Sequence, residues 1–266
     1  MIACRPWLAA GLLLMACACR TTYEFPERTV QTSAEGLSRL ELNHDVGEIH
    51  IMCSRTDKIE IRSRTTIKTR SRSRAEALHE ARRLEMKRVG DDLIVQWPEA
   101  FSSYRSEATT DLDVILPADL RLAVMSEVGD VVVEDANSSV SVLTAVGDID
   151  IRCRQSQQIY GFSRVGDVAI EGNPRLLRAT SEVGDVDAWC GPDLEDVEMR
   201  SKVGDVTLYL PEGIVPQSLS ASTTVGSLAP PRRPEEGMTG PTVIMHTTTG
   251  DVSVRRNDRR ISPKFY

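Results

Sequence analysis

Val183-Gly184-Asp185-Val186 is one copy of the four-residue phrase that decides the fold of this chain. The phrase is a hydrophobic residue, Gly, an acidic residue and a second hydrophobic residue. With small changes it occurs eight times, around Gly47, Gly129, Gly147, Gly166, Gly184, Gly204, Gly226 and Gly250. From Gly129 onward the steps between copies are 18, 19, 18, 20, 22 and 24 residues. A near-constant step of this size, with strand-like patterning on both sides, predicts the stacked coils of a β-solenoid.

Side-chain alternation places the phrase at a corner of each coil. Residues on a strand alternate faces with a period of two. Strict alternation would put Val146 and Ile149 on opposite faces, yet both are apolar and expected to point inward. The chain must therefore turn between them from one sheet to another. Each coil is expected to be strand, Gly-Asp corner, strand and loose turn, and the fold class all-β, a single β-solenoid of 18–24-residue coils.

The repeated Gly and Asp residues could suggest a metal site, but they also have a structural explanation. Gly reaches positive φ without a Cβ clash, and Asp can accept backbone N–H groups in an Asx-turn. Stacking would align the Asp residues about 4.8 Å apart, which leaves a calcium ladder as an alternative. Calcium needs six to eight oxygens, however, and one carboxylate per coil supplies few, so no metal site is expected. The predicted structural corners are Gly129 and Asp130, Gly147 and Asp148, Gly166 and Asp167, Gly184 and Asp185, and Gly204 and Asp205.

A second column consists of small hydroxyl residues two positions before the hydrophobic residue of each phrase. Its members are Ser126, Thr144, Ser163, Ser181, Ser201, Thr223 and Thr247. A nucleophile would need an activating base, and no His or Lys recurs beside them. Glycoside hydrolysis needs paired carboxylates in one cleft, whereas these acids sit at repeated corners. We therefore expect no enzyme and no cofactor, with a polysaccharide-acting β-helix enzyme as the catalytic alternative.

Composition agrees with one elongated domain at residues 36–256. The chain has 266 residues, of which 41% are hydrophobic but only 5% aromatic, as a narrow core of Val, Ile and Leu requires. Its 39 acidic and 32 basic residues make it mildly acidic. This balance argues against a nucleic-acid partner.

The N-terminus has the pattern of an export signal. Residues 7–16 form an apolar run too short to span a bilayer comfortably. The run ends in Leu14-Met15-Ala16-Cys17, which resembles the lipobox of bacterial lipoproteins. The resemblance implies a signal peptide at 1–16, lipid on Cys17 and a linker at 17–35. Cys19 as the lipidated residue, or a simple secreted protein, are the alternatives.

An insertion of different character separates the first copy from the other seven. Its helix pattern begins at Ser73, expected as the N-cap with Glu76 completing a capping box, and extends to about residue 88. The preceding segment, 59–69, alternates apolar and basic residues, so one face of a strand there is basic and either solvated or attractive to an anionic partner. The basic tail at 257–266 has no periodicity.

The order of these elements resembles the bacterial putative-adhesin family of β-strand repeats, a domain of unknown function. The matching stretches are Val46-Gly47-Glu48-Ile49-His50-Ile51, a helix near 75–84, Asp113-Val114-Ile115-Leu116-Pro117 and Leu120-Arg121-Leu122. The resemblance covers residues 36–256 and departs from the pattern at Ser227, which replaces the acid. It implies a β-solenoid at the cell envelope without established catalytic residues.

Together the signal and the resemblance predict a non-catalytic, adhesin-like or structural lipoprotein. It would be anchored to the membrane by lipid, in the outer rather than the inner membrane because Ala18, not Asp, follows Cys17. An envelope glycan or a surface protein is the expected partner. A polymerising scaffold of the bactofilin kind is a further alternative.

One position offers candidate binding residues. Five residues after the Gly, the outward column reads Trp189 and then Tyr209 in successive coils, with Asp187 and Thr207 on the same face. Two rings beside polar groups predict a platform for a sugar ring or a partner protein. Alternatively, the Pro-rich segment 229–241 folds over the rings and makes them a local minicore.

Overall fold

The protein, described by a computed structural model over residues 20–98, 107–229 and 240–257, consists almost entirely of strands. The single helix there is α1, Arg72–Ala81. The strands are β1 Thr21–Glu24, β2 Arg28–Ser33, β3 Arg39–Val46, β4 Ile49–Ser54, β5 Lys58–Thr69, β6 Glu85–Val89, β7 Asp92–Gln96, β8 Ala108–Pro117, β9 Arg121–Val128, β10 Val131–Ala136, β11 Val140–Val146, β12 Ile149–Cys153, β13 Ser156–Val165, β14 Val168–Gly172, β15 Pro174–Val183, β16 Val186–Cys190, β17 Asp196–Val203, β18 Val206–Leu210, β19 Ser218–Val225, β20 Leu228–Ala229, β21 Thr242–Thr249 and β22 Val252–Arg256. The predicted all-β class is confirmed.

The strands form two large, mostly parallel sheets. The order in the 12-stranded sheet is β1-β5-β8-β4-β10-β12-β14-β16-β18-β22-β20, with β2 also on β5. The order in the 10-stranded sheet is β19-β21-β17-β15-β13-β11-β9-β3-β7-β6. Antiparallel pairs occur where β5 meets β1, β2 and β8, and between β6 and β7.

The predicted single β-solenoid is therefore wrong. Each repeat contributes one strand to each sheet, and the turns between repeats add no third sheet in the described part of the chain. The repeats also do not stack in sequence order, because β21 lies between β17 and β19. The result is a pair of mixed sheets with open edges rather than a closed coil.

The Gly-Asp phrase does pass the chain from one sheet to the other. Strand β9 lies in the 10-stranded sheet, Gly129 and Asp130 follow, and β10 lies in the 12-stranded sheet. Buried side chains of both sheets form one core cluster, such as Val142 from β11 and Ile151 from β12. Most residues of this cluster lie on the strands of the repeats, so the repeats supply most of the core. Burial of one such side chain stabilises the fold by about 1.5–3 kcal/mol.

In six of the eight copies the residue before the Gly is a valine that points outward, which corrects the predicted inward orientation. These residues are 43–61% exposed and form a ridge along the corners, consisting of Val128, Val146, Val165, Val183, Val203 and Val225. The hydroxyl residue two positions earlier fills the inside of the corner instead; Ser181, for example, is fully buried and donates to the Gly166 carbonyl. The alternation of inward and outward side chains thus ends at the hydroxyl residue, two residues before the position that the sequence pattern indicates.

The N-terminal part contains features that the repeat does not describe. Strands β1 and β2 lie within the range expected to be a linker, 17–35, and both pair with β5. The expected inserted helix is present, but its N-cap is Ser71, whose side chain accepts from the Arg74 amide at 3.3 Å, and not Ser73. Its predicted end near residue 88 is also wrong, because 85–89 pairs with β7 as β6.

Helix α1 packs on β5 through Ala75 and Leu78, which are buried with Ile67. No helix within the described residues is long and apolar enough to cross a bilayer.

Three buried cysteines contribute to the core as free thiols: Cys53, Cys153 and Cys190. Cys153 and Cys190 are separate thiols, as their two-repeat separation predicts. Burial raises the pKa of Cys53 and of Cys153 to about 12. Such thiols remain protonated and unreactive at neutral pH.

Candidate functional site

The predicted aromatic residues lie side by side on the outer face of the 12-stranded sheet. Trp189 on β16 is paired in register with Tyr209 on β18. Their rings are stacked, with centroids 4.8 Å apart and an interplanar angle of 7°. The same row continues with Glu171 on one side and Arg255 on the other. Both rings are half-buried, so part of each ring packs against the protein and part is open to solvent.

A polar row runs alongside the two rings. Asp187, Thr207 and Ser253 occupy successive strands in register, and Ser253 Oγ donates to Thr207 Oγ1 at 3.4 Å. Thr207 and Ser253 are only 7% and 6% exposed although they belong to the outer face. Burial raises the pKa of the Asp187 carboxyl, against the opposing effects of the Thr207 hydrogen bond and Arg255. A partly desolvated acid therefore lies next to the stacked aromatic rings.

The sequence allows the Pro-rich segment 229–241 as an alternative cover over these rings. Most of that segment, 230–239, lies outside the described residues. Cys17, the expected lipidation site, also lies outside them, as does Cys19.

The predicted corners form a ladder of hydrogen bonds between repeats. The Asp185 amide donates to Asp167 Oδ1 at 2.8 Å, and the Asp205 amide donates to Asp185 Oδ1 at 2.7 Å. Asp148 and Asp167 make the equivalent bonds to the preceding repeat. The carboxylate thus accepts from the neighbouring repeat, rather than closing an Asx-turn within its own.

Ser227 replaces the acidic residue in the repeat of β19 and β20, which lies at the edge of both sheets. The Ser227 amide donates to Asp251 Oδ1 at 2.8 Å, so its repeat receives the ladder from β21 and β22. Beyond β19 and β20 the described chain has no further repeat whose amide would need a carboxylate. The missing acid therefore coincides with the end of the stack.

The hydroxyl column has the same structural function inside the corners. Ser163, Ser181 and Ser201 each donate to the carbonyl oxygen of the Gly in the preceding repeat, at 2.8–2.9 Å. Thr247 donates to the Gly204 carbonyl and Thr223 to the Gly250 carbonyl, each in the repeat that lies next to it in space. The buried hydroxyls of Ser126 and Thr144 have no hydrogen-bond partner in the part of the chain that the structure describes. Within the described ranges, no group of three or more His, Cys, Asp and Glu side chains is arranged to hold a metal ion.

Sequence reasoning missed a buried polar cluster beside α1. Trp97 Nε1 donates to His44 Nδ1 at 3.0 Å, and the Arg82 guanidinium lies 4.5 Å from the Trp97 ring centroid. Arg82 Nε donates to Thr110 Oγ1 at 3.0 Å. Burial and, second, the Arg82 charge lower the pKa of His44 to about 4. His44 pairs in register with Ser126 and so occupies the hydroxyl column. A His at that position was the sequence signal that could have indicated this buried cluster.

Comparison with known proteins supports the fold. No protein-family model and no curated protein matches the chain. A crystal structure from Bacteroides fragilis, described as a "putative adhesin", is 17% identical and covers 86% of this chain and 97% of its own, with a TM-score of 0.50. At this identity the likeness shows a shared fold alone.

Two further crystal structures match more loosely. A "putative cell adhesion protein" from Clostridium sporogenes is 16% identical, with a TM-score of 0.41, and covers 87% of this chain and 99% of that one. A "putative lipid binding protein" from Parabacteroides distasonis is 11% identical, with a TM-score of 0.43, and covers 87% and 97%.

Proposed function

We propose that this protein is a non-catalytic, adhesin-like binding protein of the bacterial cell envelope, and that it binds an envelope glycan at Trp189 and Tyr209. The observation that carries the proposal is the parallel stack of these rings beside the partly desolvated Asp187 carboxyl. Aromatic rings contribute apolar faces and polar edges, both of which a sugar ring can use.

The stack is suited to binding because it is already ordered. Each ring restricts the other, so a ligand does not have to immobilise them, and preorganisation of this kind increases affinity. Asp187 and Arg255 flank the stack with an acceptor and a donor for sugar hydroxyl groups. A surface protein is the competing partner, and the assay below distinguishes it.

The proposal is non-catalytic because most of the repeated polar groups have structural partners. The corner carboxylates accept amide N–H groups, as Asp167 does from Asp185. Five of the seven column hydroxyls donate to Gly carbonyls. A polysaccharide-acting enzyme would instead release shorter products from the glycan that it binds. Chromatography of the glycan after incubation with the protein tests this alternative.

The binding assay uses purified protein, envelope polysaccharide on one surface and extracellular-matrix protein on another. Trp189→Ala and Tyr209→Ala should each weaken polysaccharide binding about tenfold or more, which is about 1.4 kcal/mol. Tyr160→Ala, in β13 of the opposite sheet, is the control and should bind like wild type. Binding that these variants leave unchanged, together with early melting, would make the stack structural; binding only to matrix protein would favour the protein partner.

We also propose attachment to the outer membrane through lipid on Cys17. The Leu14-Met15-Ala16-Cys17 sequence supports this assignment. Cys17→Ala should leave an uncleaved precursor without lipid label, whereas Cys19→Ala, the control, should be labelled normally. Label retained in Cys17→Ala and lost in Cys19→Ala would move the site to Cys19.

A further inference from the structure

Strands β19 and β20 are edge strands in the described part of the chain. Among those residues β19 pairs only with β21, in register from Ser218 opposite Thr242 to Val225 opposite Thr249, and β20 pairs only with β22. An edge strand has a row of backbone N–H and C=O groups directed away from the sheet. Within the described residues, nothing pairs with that row on β19.

The sequence of this edge lacks the usual protection against pairing. Proteins place Lys, other charges or Pro on exposed edge strands to prevent association. Strand β19 reads Ser-Leu-Ser-Ala-Ser-Thr-Thr-Val and contains neither a charged residue nor Pro. The opposite edge of the same sheet, β6, contains Glu85, Lys87 and Arg88. The two ends of the sheet therefore differ in the property that controls strand pairing.

The core is also less covered at this end. Leu219 and Ala221 face the core but are only half-buried, whereas Val243 and Met245, their partners on β21, are 0% and 1% exposed. Val225 is 61% exposed, the largest value in the valine ridge. Apolar area thus remains to be buried beside an unpaired backbone.

We propose that β19 pairs antiparallel with β19 of a second copy of this chain, about a two-fold axis through Ser222. In this register Leu219 lies opposite Val225 of the other copy, and Ala221 lies opposite Thr223. Directly opposed residues in the regular part of the strand point to the same face, so the inward-facing Ala221 and Thr223 stay on one face. Val225 points outward at the corner, and in this register its exposed apolar surface lies close to Leu219 of the other copy.

A second copy fits this edge because of its charge and symmetry. The chain carries a net charge of −7, but β19 is uncharged, so two copies can approach here without side-chain repulsion along the strand. A two-fold contact uses the same surface of both copies and closes on itself. The charged edge at β6 disfavours further growth, so the expected assembly is a dimer and not a filament. This inference does not depend on the proposed glycan site.

Sedimentation velocity of the purified full chain in mild non-ionic detergent tests the assembly. The wild-type chain should sediment as a dimer that dissociates on dilution. Ser220→Lys places a charge on the outward face of the paired strands, opposite Thr224 of the other copy, and should raise the dissociation constant tenfold or more. The matched control is Ser141→Lys, which lies in the same row of outward residues but on the interior strand β11, and it should remain dimeric.

Cross-linking keeps the inference testable if a Lys variant folds poorly. Ser222→Cys places a thiol on the two-fold axis, so oxidation should give a covalent dimer in excess of the background from the native cysteines. Ser141→Cys should give only that background. A wild-type chain that is monomeric at every concentration would overturn the inference. So would a dimer that neither Ser220→Lys weakens nor Ser222→Cys traps.

Discussion

Replacement of Gly184 by Ala tests whether close contact between neighbouring corners selects Gly. Gly184 has φ +145°, and a Cβ there would lie 2.2 Å from the carbonyl oxygen and 2.6 Å from the carbonyl carbon of Gly166. Ordinary C···O contacts are about 3.3–3.6 Å, so the two repeats would have to separate by about 1 Å. Two hydrogen bonds cross this contact: Ser181 Oγ to the Gly166 carbonyl, and the Asp185 amide to Asp167 Oδ1, both at 2.8 Å.

The magnitude follows from these contacts. Unfavourable φ costs a non-Gly residue about 1–3 kcal/mol, and loss of two hydrogen bonds costs about 1 kcal/mol each. Gly213 is the matched control, since it also has positive φ, +83°, but a Cβ there would meet no atom within 4 Å. We expect Gly184→Ala to lower the free energy of unfolding by at least about 2 kcal/mol more than Gly213→Ala does.

Guanidinium unfolding followed by circular dichroism measures both variants. Equal losses of stability, within about 0.5 kcal/mol, would show that backbone conformation alone selects Gly and that close packing of the corners does not.

Three further predictions concern the ladder, the buried His and the outer charges. Asp185→Asn should be mild, whereas Asp185→Leu removes the acceptor for the Asp205 amide and should cost about 1 to 2 kcal/mol in denaturant unfolding. Millimolar Ca²⁺ should not change melting, and a large rise that Asp185→Asn abolishes would contradict this structural role. His44 has a pKa of about 4 in the fold against 6.5 without it, so its contribution to stability is complete above pH 6.5 and is lost as pH falls toward 4, by on the order of 3 kcal/mol. Unfolding measured across this range should lose that dependence in His44→Gln, and an unchanged slope would assign it to other groups. Glu182 pairs with Lys202 at 2.8 Å, so Glu182→Lys should lower the melting temperature, and less so in high salt; a salt-independent loss would refute the ion pair as the cause.

The repeated phrase predicts those parts of the fold that depend on local chemistry. Gly-Asp corners, strands on both sides and inward hydroxyl groups all follow from one repeat read on its own. The adjacency of Trp189 and Tyr209 also follows, because the step between repeats fixes which residues are neighbours on parallel strands. Their function as a binding surface remains a prediction.

The remaining features depend on contacts that the repeat does not contain. Val183 is apolar like its core neighbours, yet it lies outside because the Ser181 hydroxyl occupies the inner corner. Pairing of β2 with β5 joins segments with no shared pattern. Burial of Arg82 depends on where the α1 insertion packs, which no periodicity indicates.

The position of β21 between β17 and β19 affects how the chain can be synthesised and assembled. Asp196 and Ser218 are both in register with Thr242, so β19 has the spacing needed to pair directly with β17. A chain that emerges from its N-terminus exposes β19 before β21 exists. Strand β19 could therefore pair with β17 first, and residues 240–257 would then have to displace it. Truncation before residue 240 would consequently remove an interior layer, and the shortened chain could close the gap with its own preceding repeat.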